Sequence, residues 1–85
     1  MAKRTVLRPT GNKTVQAIPL VEYHVVPNGQ RWDVERDDMF IGSFAYDVHT
    51  AIGLATAAAQ RDHHNGTEVM VCVQQQDGSC RKVWP

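Results

Sequence analysis

The chain has no long apolar stretch, only two cysteines and no excess of either charge. It contains no run of about 18 apolar residues, which is near the minimum that spans a bilayer as a helix. Nine Lys and Arg residues balance nine Asp and Glu residues, so no overall field attracts nucleic acid or an anionic membrane. These absences predict no membrane partner, and they leave nucleic-acid binding to depend on local charge.

The scarcity of cysteine bears on location. If a two-residue loop is centred on Asp77-Gly78, Cys72 lies opposite Val83, and a three-residue loop shifts the pairing by one residue. Because directly opposed residues meet disulfide geometry, we expect Cys72 and Cys80 to be reduced. No apolar segment follows the basic residues at the N-terminus, so we expect no secretory signal. Both features predict a cytoplasmic protein.

The 85 residues are enough for one small domain with a thin core. We predict a basic arm at residues 1–20, flexible or loosely attached, and a single α+β domain at residues 21–85. The alternative for the arm is a hairpin that turns at Thr10-Gly11-Asn12, with short strands at residues 5–7 and 14–16.

Three strand patterns follow, at residues 22–26, 32–36 and 39–44. Asn28-Gly29 supplies the positive φ of a tight turn between the first two, and Pro27 ends the first strand. The second strand alternates apolar and acidic residues, which is typical of a sheet with one wet face. Its two faces are Trp32, Val34 and Arg36 on one side, and Asp33 and Glu35 on the other.

An alanine-rich segment predicts one helix. Asp47 is suited to cap its first turn, and Asn65-Gly66 is suited to end it. Gly53 lowers helix propensity by about 1 kcal/mol relative to alanine, so we expect it to mark a close contact with the sheet. The apolar stripe at spacings of three and four consists of Val48, Ala51, Ile52, Ala55, Ala58 and Ala59.

The last hairpin has two faces. Val69, Val71 and Val73 point one way, and Met70, Cys72 and Gln74 point the other. With the two-residue loop, Val71 pairs with Trp84 and Val73 with Lys82, so the valine face lies under the helix. The chain is therefore predicted to be a two-layer α+β domain, in which one helix packs on a mostly antiparallel β-β-β-α-β-β sheet.

Several motifs in this order resemble domain-of-unknown-function family 2188, a group of short bacterial proteins. They are the run from Tyr23 to Gly29, then Trp32-x-Val34, Phe44 ahead of a capped helix with Ala51-Ile52, Val69-x-Val71, and Asp77-Gly78. The resemblance covers residues 22 to about 84. It implies the fold and the cytoplasmic location, and it carries no activity, cofactor or catalytic residue.

Nothing in the sequence predicts catalysis or a metal site. The four histidines, His24, His49, His63 and His64, have none of the spacings typical of zinc ligands. Arg81 could lower the thiol pKa of Cys80, but no base and orienting group accompany it. We therefore predict no enzyme activity, no cofactor and no metal.

The face opposite the helix is predicted to be more apolar than a solvated surface requires. It would carry His24, Val26, Met70 and Cys72. Such a patch, or a free strand edge, favours a non-enzymatic interaction module that binds a second copy of itself or another protein. The alternative is that the N-terminal arm folds back over Met70 and Cys72.

A nucleic-acid-binding module is the second hypothesis. Strands followed by a helix occur in modules that enter the major groove, and basic side chains bind phosphates. Four acidic residues oppose this, namely Asp33 and Glu35 in the second strand and Asp37 and Asp38 in the polar turn that we predict after it. The candidate contacts are Lys3, Arg4, Arg8, Lys13, Arg31 and Arg36. A third hypothesis, a small mobile-element or host-inhibiting protein, rests only on small size and the obscurity of the family.

Overall fold

The structure is a computed structural model that describes residues 4–9 and 15–85. One helix packs on one face of a six-stranded mixed sheet, which confirms the two-layer α+β prediction. In chain order the elements are β1 (Thr5–Pro9), β2 (Val15–Asn28), β3 (Arg31–Arg36), β4 (Met39–Ala45), α1 (Val48–His64), β5 (Glu68–Gln74) and β6 (Cys80–Trp84).

β2 is the central strand of the sheet, whose order is β4-β3-β2-β5-β6. It pairs antiparallel with β3 and parallel with β5. The connection through β4 and α1 reverses the chain direction, so β5 enters beside β2 in the same sense. The other pairs are antiparallel, so the sheet is mostly antiparallel, as predicted.

The N-terminal residues add a strand to the predicted layout. β1 pairs antiparallel with the first part of β2, from Thr5 opposite Pro19 to Pro9 opposite Val15. This pairing corresponds to the hairpin alternative for residues 1–20, and its predicted turn lies outside the described residues. β2 is consequently 14 residues long, far longer than the predicted strand.

Pro27 does not end β2, contrary to the prediction. It pairs with Trp32 in β3, while the pairing of β2 with β5 stops at Val25 opposite Val73. On the β5 side Pro27 therefore has no neighbouring strand, and its missing N–H interrupts no ladder there. The β2–β3 turn is made by Gly29-Gln30, with φ +63° at the glycine.

The helix forms where local signals place it. The Asp47 carboxylate accepts the backbone N–H groups of His49 at 3.3 Å and Thr50 at 2.8 Å. A further hydrogen bond from the Thr50 side chain, together with these, lowers the pKa of Asp47. Gly66 follows the last turn with φ +87°, as predicted for the closing position. No helix in residues 4–9 or 15–85 is long and apolar enough to cross a membrane.

Gly53 corrects one expectation. It is exposed, and a Cβ added there would have no other atom within 4 Å. Gly53 therefore lies on the solvent side of α1 and marks no close contact with the sheet.

The core lies between the sheet and the alanine stripe of α1. Ala51, Ala55, Ala58 and Ala59 are buried, and Val48 and Ile52 are partly buried against the same cluster. Trp32 and Trp84 also pack against it, so the predicted helix-facing side of the sheet is confirmed. The buried sheet residues are Val21, Tyr23, Val25, Val34, Ala45, Val69, Val71 and Val73.

Candidate functional site: the outer sheet face and its edge strand

The prediction of two reduced thiols is wrong, because Cys72 and Cys80 form a disulfide. Cys72 lies opposite Lys82, and Cys80 lies opposite Gln74, so the two cysteines are diagonal neighbours on one face. Their Cα atoms are 5.6 Å apart, within the range that a disulfide spans. The prediction considered only directly opposed residues. Diagonal neighbours on one face of an antiparallel pair are also within reach of each other, and here the diagonal pair is close enough to bond.

The register of the last hairpin explains the rest of this difference. The Gln75 N–H donates to the Ser79 carbonyl at 2.7 Å, so the loop has three residues. Val71 lies opposite Trp84, as predicted, but Val73 lies opposite Arg81 and not Lys82. A shift in register between Val71 and Cys72 absorbs the extra residue.

The predicted partner face does lie opposite α1, but much of it is inaccessible. His24 is beside Cys72 in the parallel register, and Met70 is beside Glu22. The His24 side chain is 20% exposed, Cys72 is buried, and Val26 and Met70 are half-buried. These residues form a mostly covered surface, which is less available to a partner than their types suggested.

His24 lies in an acidic setting. Its Nε2 is 3.1 Å from Glu22 Oε1, and its Nδ1 is 4.0 Å from Asp38 Oδ1. Arg4 forms ion pairs with both of these carboxylates. Arg4, which immediately precedes β1, therefore contacts two carboxylates beside His24 on the sheet face opposite α1.

The same region gathers three potential metal ligands. One ligand atom each of His24, Cys72 and Cys80 lies within 4.8 Å of the other two. Local spacing could not reveal this cluster, because its members come from β2, β5 and β6. The parallel pairing of β2 with β5 brings them together, and neither of those strands carries a local signal for that register.

All four described candidates for nucleic-acid contact are paired with carboxylates. Lys3 and Lys13 lie outside the described residues. The ion pairs are Arg4 with Glu22, Arg8 with Glu68, Arg31 with Asp33, and Arg36 with Asp62. A phosphate would have to compete with each of these carboxylates, so the four candidates within the described residues do not form an open anion-binding surface.

A patch of exposed apolar side chains lies along and just beyond the edge strand β4. We define the β4 patch as Met39, Phe40, Ile41, Phe44 and Tyr46, all exposed. Phe40 and Phe44 share the outer face of the sheet, opposite Glu35 and Asp33, whereas Met39 lies opposite Arg36 on the helix-facing side. The Phe44 and Tyr46 rings meet edge to face, with centroids 5.9 Å apart. Such patches on a small protein mark sites of interaction.

Arg31 lies over this patch. Its guanidinium carbon is 4.3 Å from the Phe44 ring centroid and 5.6 Å from that of Phe40. Arg31 Nε also lies 2.7 Å from Asp33 Oδ1, an ion pair that lacks the alignment of a hydrogen bond. The Asn28 side-chain amide donates to the other Asp33 oxygen at 2.8 Å. Asp33 thereby holds the Arg31 guanidinium within cation–π distance of the Phe40 and Phe44 rings.

The two outer strands of the main sheet differ in charge. β6 carries Arg81 and Lys82, and charged side chains at an edge discourage pairing with another chain. β4 has the sequence MFIGSFA, with no charge and no proline. A shift in register opposite Val34, where Gly42 has φ +86°, bends its middle. Away from that bend, β4 is the less protected edge.

A partly buried group of polar side chains links the sheet to α1 on the other face. The Tyr23 hydroxyl donates to Asp62, and Arg36 Nε lies 3.1 Å from Asp62 Oδ2 and 3.2 Å from the Tyr23 oxygen. Burial raises the pKa of Tyr23, and the bond to Asp62 raises it further. Burial alone would raise the pKa of Asp62, but hydrogen bonds from Tyr23 and Arg36 outweigh it and lower that pKa.

Sequence reasoning missed this group, although a signal existed. Asp62 continues the spacing of the alanine stripe after Ala58 and Ala59, and Arg36 shares a strand face with Val34. Opposite charges on two apolar faces that meet predict an ion pair across the layers.

No family model, curated protein or solved structure matches this chain. The resemblance to domain-of-unknown-function family 2188 therefore stays a prediction from the motifs.

Proposed function

We propose that the chain is a non-enzymatic protein-interaction module that forms a homodimer through its β4 edge. The observation that carries this proposal is the coincidence of an uncharged outer strand with the exposed β4 patch. An outer strand offers unpaired backbone N–H and C=O groups to a partner. Contact would also remove the apolar side chains beside the strand from water, which favours association.

A second copy is the occupant that the edge suits best. Two identical strands pair antiparallel across a two-fold axis, so that each copy presents the same surface to the other. β4 contains no charged residue, and self-pairing therefore brings no like charges together within the strand. Phe, Tyr, Met and Arg, the residue types of the patch and its cover, are enriched in protein interfaces.

Other features of the described residues agree with a binding role. A pocket between β2 and the β3–β4 turn has a volume of about 200 Å³, below the roughly 300–1,000 Å³ of typical ligand sites. Arg36, one of its lining residues, is held by Asp62. The ion pairs of the described arginines weigh against the nucleic-acid hypothesis. A cytoplasmic location remains part of the proposal, although the disulfide removes one of the two features that predicted it.

The test compares two matched lysine substitutions. Ile41 is 41% exposed in the patch, and Leu54 is 40% exposed on α1 and is not part of the patch. Light scattering over a range of protein concentrations should show a dimer for the wild type and for Leu54→Lys. Ile41→Lys should shift the protein to monomer, because it adds a positive charge to each of the two pairing strands, and charged side chains at an edge oppose pairing.

Circular dichroism would check that both variants fold. A wild type that stays monomeric at high concentration would refute the proposal. Equal loss of the dimer in both variants would place the contact elsewhere or show a general effect of added charge.

A further inference from the structure

We propose that His24, Cys72 and Cys80 form a redox-gated metal site, which binds Zn²⁺ or a similar ion when the disulfide is reduced. The site is independent of the β4 edge, since its residues lie on β2, β5 and β6. In the oxidised form the disulfide occupies both sulfurs, so the same three residues have two states.

The geometry suits a tetrahedral ion. The three ligand atoms already lie within 4.8 Å of one another. Zinc holds sulfur at about 2.3 Å and imidazole nitrogen at about 2.0–2.1 Å, so tetrahedral ligand atoms lie about 3.4–3.8 Å apart. Once the S–S bond opens, small rotations of the cysteine side chains can reach that spacing without moving the strands.

The carboxylates around His24 complete the site. Ligating histidines in metal sites usually give their second ring nitrogen to a carboxylate, which orients the ring. Glu22 Oε1, 3.1 Å from His24 Nε2, is placed for this role. Asp38, 4.0 Å from Nδ1, is a second nearby oxygen donor. Two thiolates and one histidine leave the fourth position to a carboxylate or water.

The two cysteines differ in solvent exposure, as expected for a disulfide that is reduced from one side. Cys72 is fully buried, whereas Cys80 is exposed. A reductant can therefore attack the sulfur of Cys80 and release Cys72 as the leaving thiolate. In the cytoplasm disulfides are usually transient, so the proposed location would hold the pair in the metal-binding state.

The chemical step balances with a phosphine as the reductant. Phosphorus attacks Sγ of Cys80, the S–S bond breaks, and the Cys72 thiolate takes a proton. Water then cleaves the phosphorus–sulfur bond, which yields the phosphine oxide and the Cys80 thiol. Zn²⁺ binding displaces a proton from each thiol, because thiolate is the coordinating form.

The test uses the full chain without an affinity tag, freed of metal, in oxidised and phosphine-reduced forms. Each form is titrated with Co²⁺, whose tetrahedral thiolate complexes show charge-transfer and visible d–d bands, and Zn²⁺ is then added as competitor. The reduced protein should develop these bands with one equivalent of Co²⁺, and Zn²⁺ should abolish them. The oxidised protein should show none.

Variants identify the ligands. His24→Gln and Cys72→Ser should abolish the tetrahedral spectrum, whereas His64→Gln, an exposed histidine at the end of α1, should leave it unchanged. Glu22→Gln should weaken affinity by about 10–100-fold, the usual effect of losing such a carboxylate. Circular dichroism identifies any variant that fails to fold.

The comparison of the two redox forms of the wild type remains decisive even if a variant does not fold. Absence of the bands from the reduced protein, equal binding by both forms, or an unchanged spectrum in folded His24→Gln would each overturn the proposal.

Discussion

The Tyr23 hydroxyl is a test of how the two layers are joined. Tyr23→Phe keeps the ring in the core and removes only the oxygen that contacts Asp62 and Arg36. Tyr23 is 2% exposed, so water cannot replace the lost bond freely. Hydrogen bonds to charged groups contribute about 1.5–3 kcal/mol. We expect the low end, about 1.5–2 kcal/mol, because Arg36 still neutralises Asp62 in the variant.

Urea unfolding at neutral pH would measure this loss. Tyr46→Phe is the matched control, and both variants are compared at a protein concentration too low for the proposed dimer, because Tyr46 belongs to the β4 patch. Tyr46 is 77% exposed, and removal of its hydroxyl should change the free energy of unfolding by less than about 0.5 kcal/mol, as is usual at surfaces. Equal effects of the two substitutions would refute the role assigned to Tyr23.

The same pair of proteins gives a pH test. The folded-state pKa of Asp62 is lowered, so its contribution is complete above the unfolded pKa of about 4 and is lost as pH falls through the folded value. Because protonation removes the charge that Tyr23 donates to, the difference between wild type and Tyr23→Phe should shrink below about pH 4. A difference that stays constant to pH 2 would contradict the contribution of the Tyr23 hydrogen bond to the lowered pKa of Asp62.

Two further predictions concern stability. Gly53→Ala should stabilise the protein by up to about 1 kcal/mol, because the position is helical, exposed and open to a Cβ. Thermal unfolding should show the melting temperature rise by about 4–8 °C per kcal/mol. A lower melting temperature would mean that the glycine is needed for packing. Reduction of Cys72–Cys80, which are eight positions apart, should lower the free energy of unfolding by about 2.5 kcal/mol from loop entropy. Urea unfolding with and without a phosphine would measure this in metal-free buffer, and Cys80→Ser should show no effect of the reductant.

Local signals predicted the helix and the tight turns. Asp47 caps the helix and Gly66 closes it because each acts on the backbone within a few residues. Asp37-Asp38 was predicted as a polar turn, and both residues adopt positive φ, at 49° and 69°. The prediction for Gly53 was wrong because its low helix propensity was explained by a close contact with the sheet, whereas the residue faces solvent.

Contacts between strands that are far apart in the chain could not be predicted from the sequence. Which strand lies beside β2 depends on the whole topology, so the approach of His24 to Cys72 was not foreseen. The exposure of Phe40 and Phe44 has the same origin. Their shared face was predictable from alternation, but their exposure follows from β4 being an outer strand.

The disulfide was missed for a more specific reason. The three-residue loop was weighed, and it does leave Cys72 and Cys80 unopposed. Diagonal neighbours were not considered, although the twist of a hairpin can bring them within bonding distance. Cysteines two positions out of register on one face of a hairpin should therefore be counted as a possible pair.

The most direct test of the β4 dimer is amide hydrogen exchange measured at low and high protein concentration. We predict that amides within Met39–Ala45 that point away from β3 exchange more slowly as concentration rises, because a second copy then pairs with them. Amides of the charged edge strand β6 should exchange at the same rate throughout. Exchange in β4 that does not depend on concentration would contradict the account.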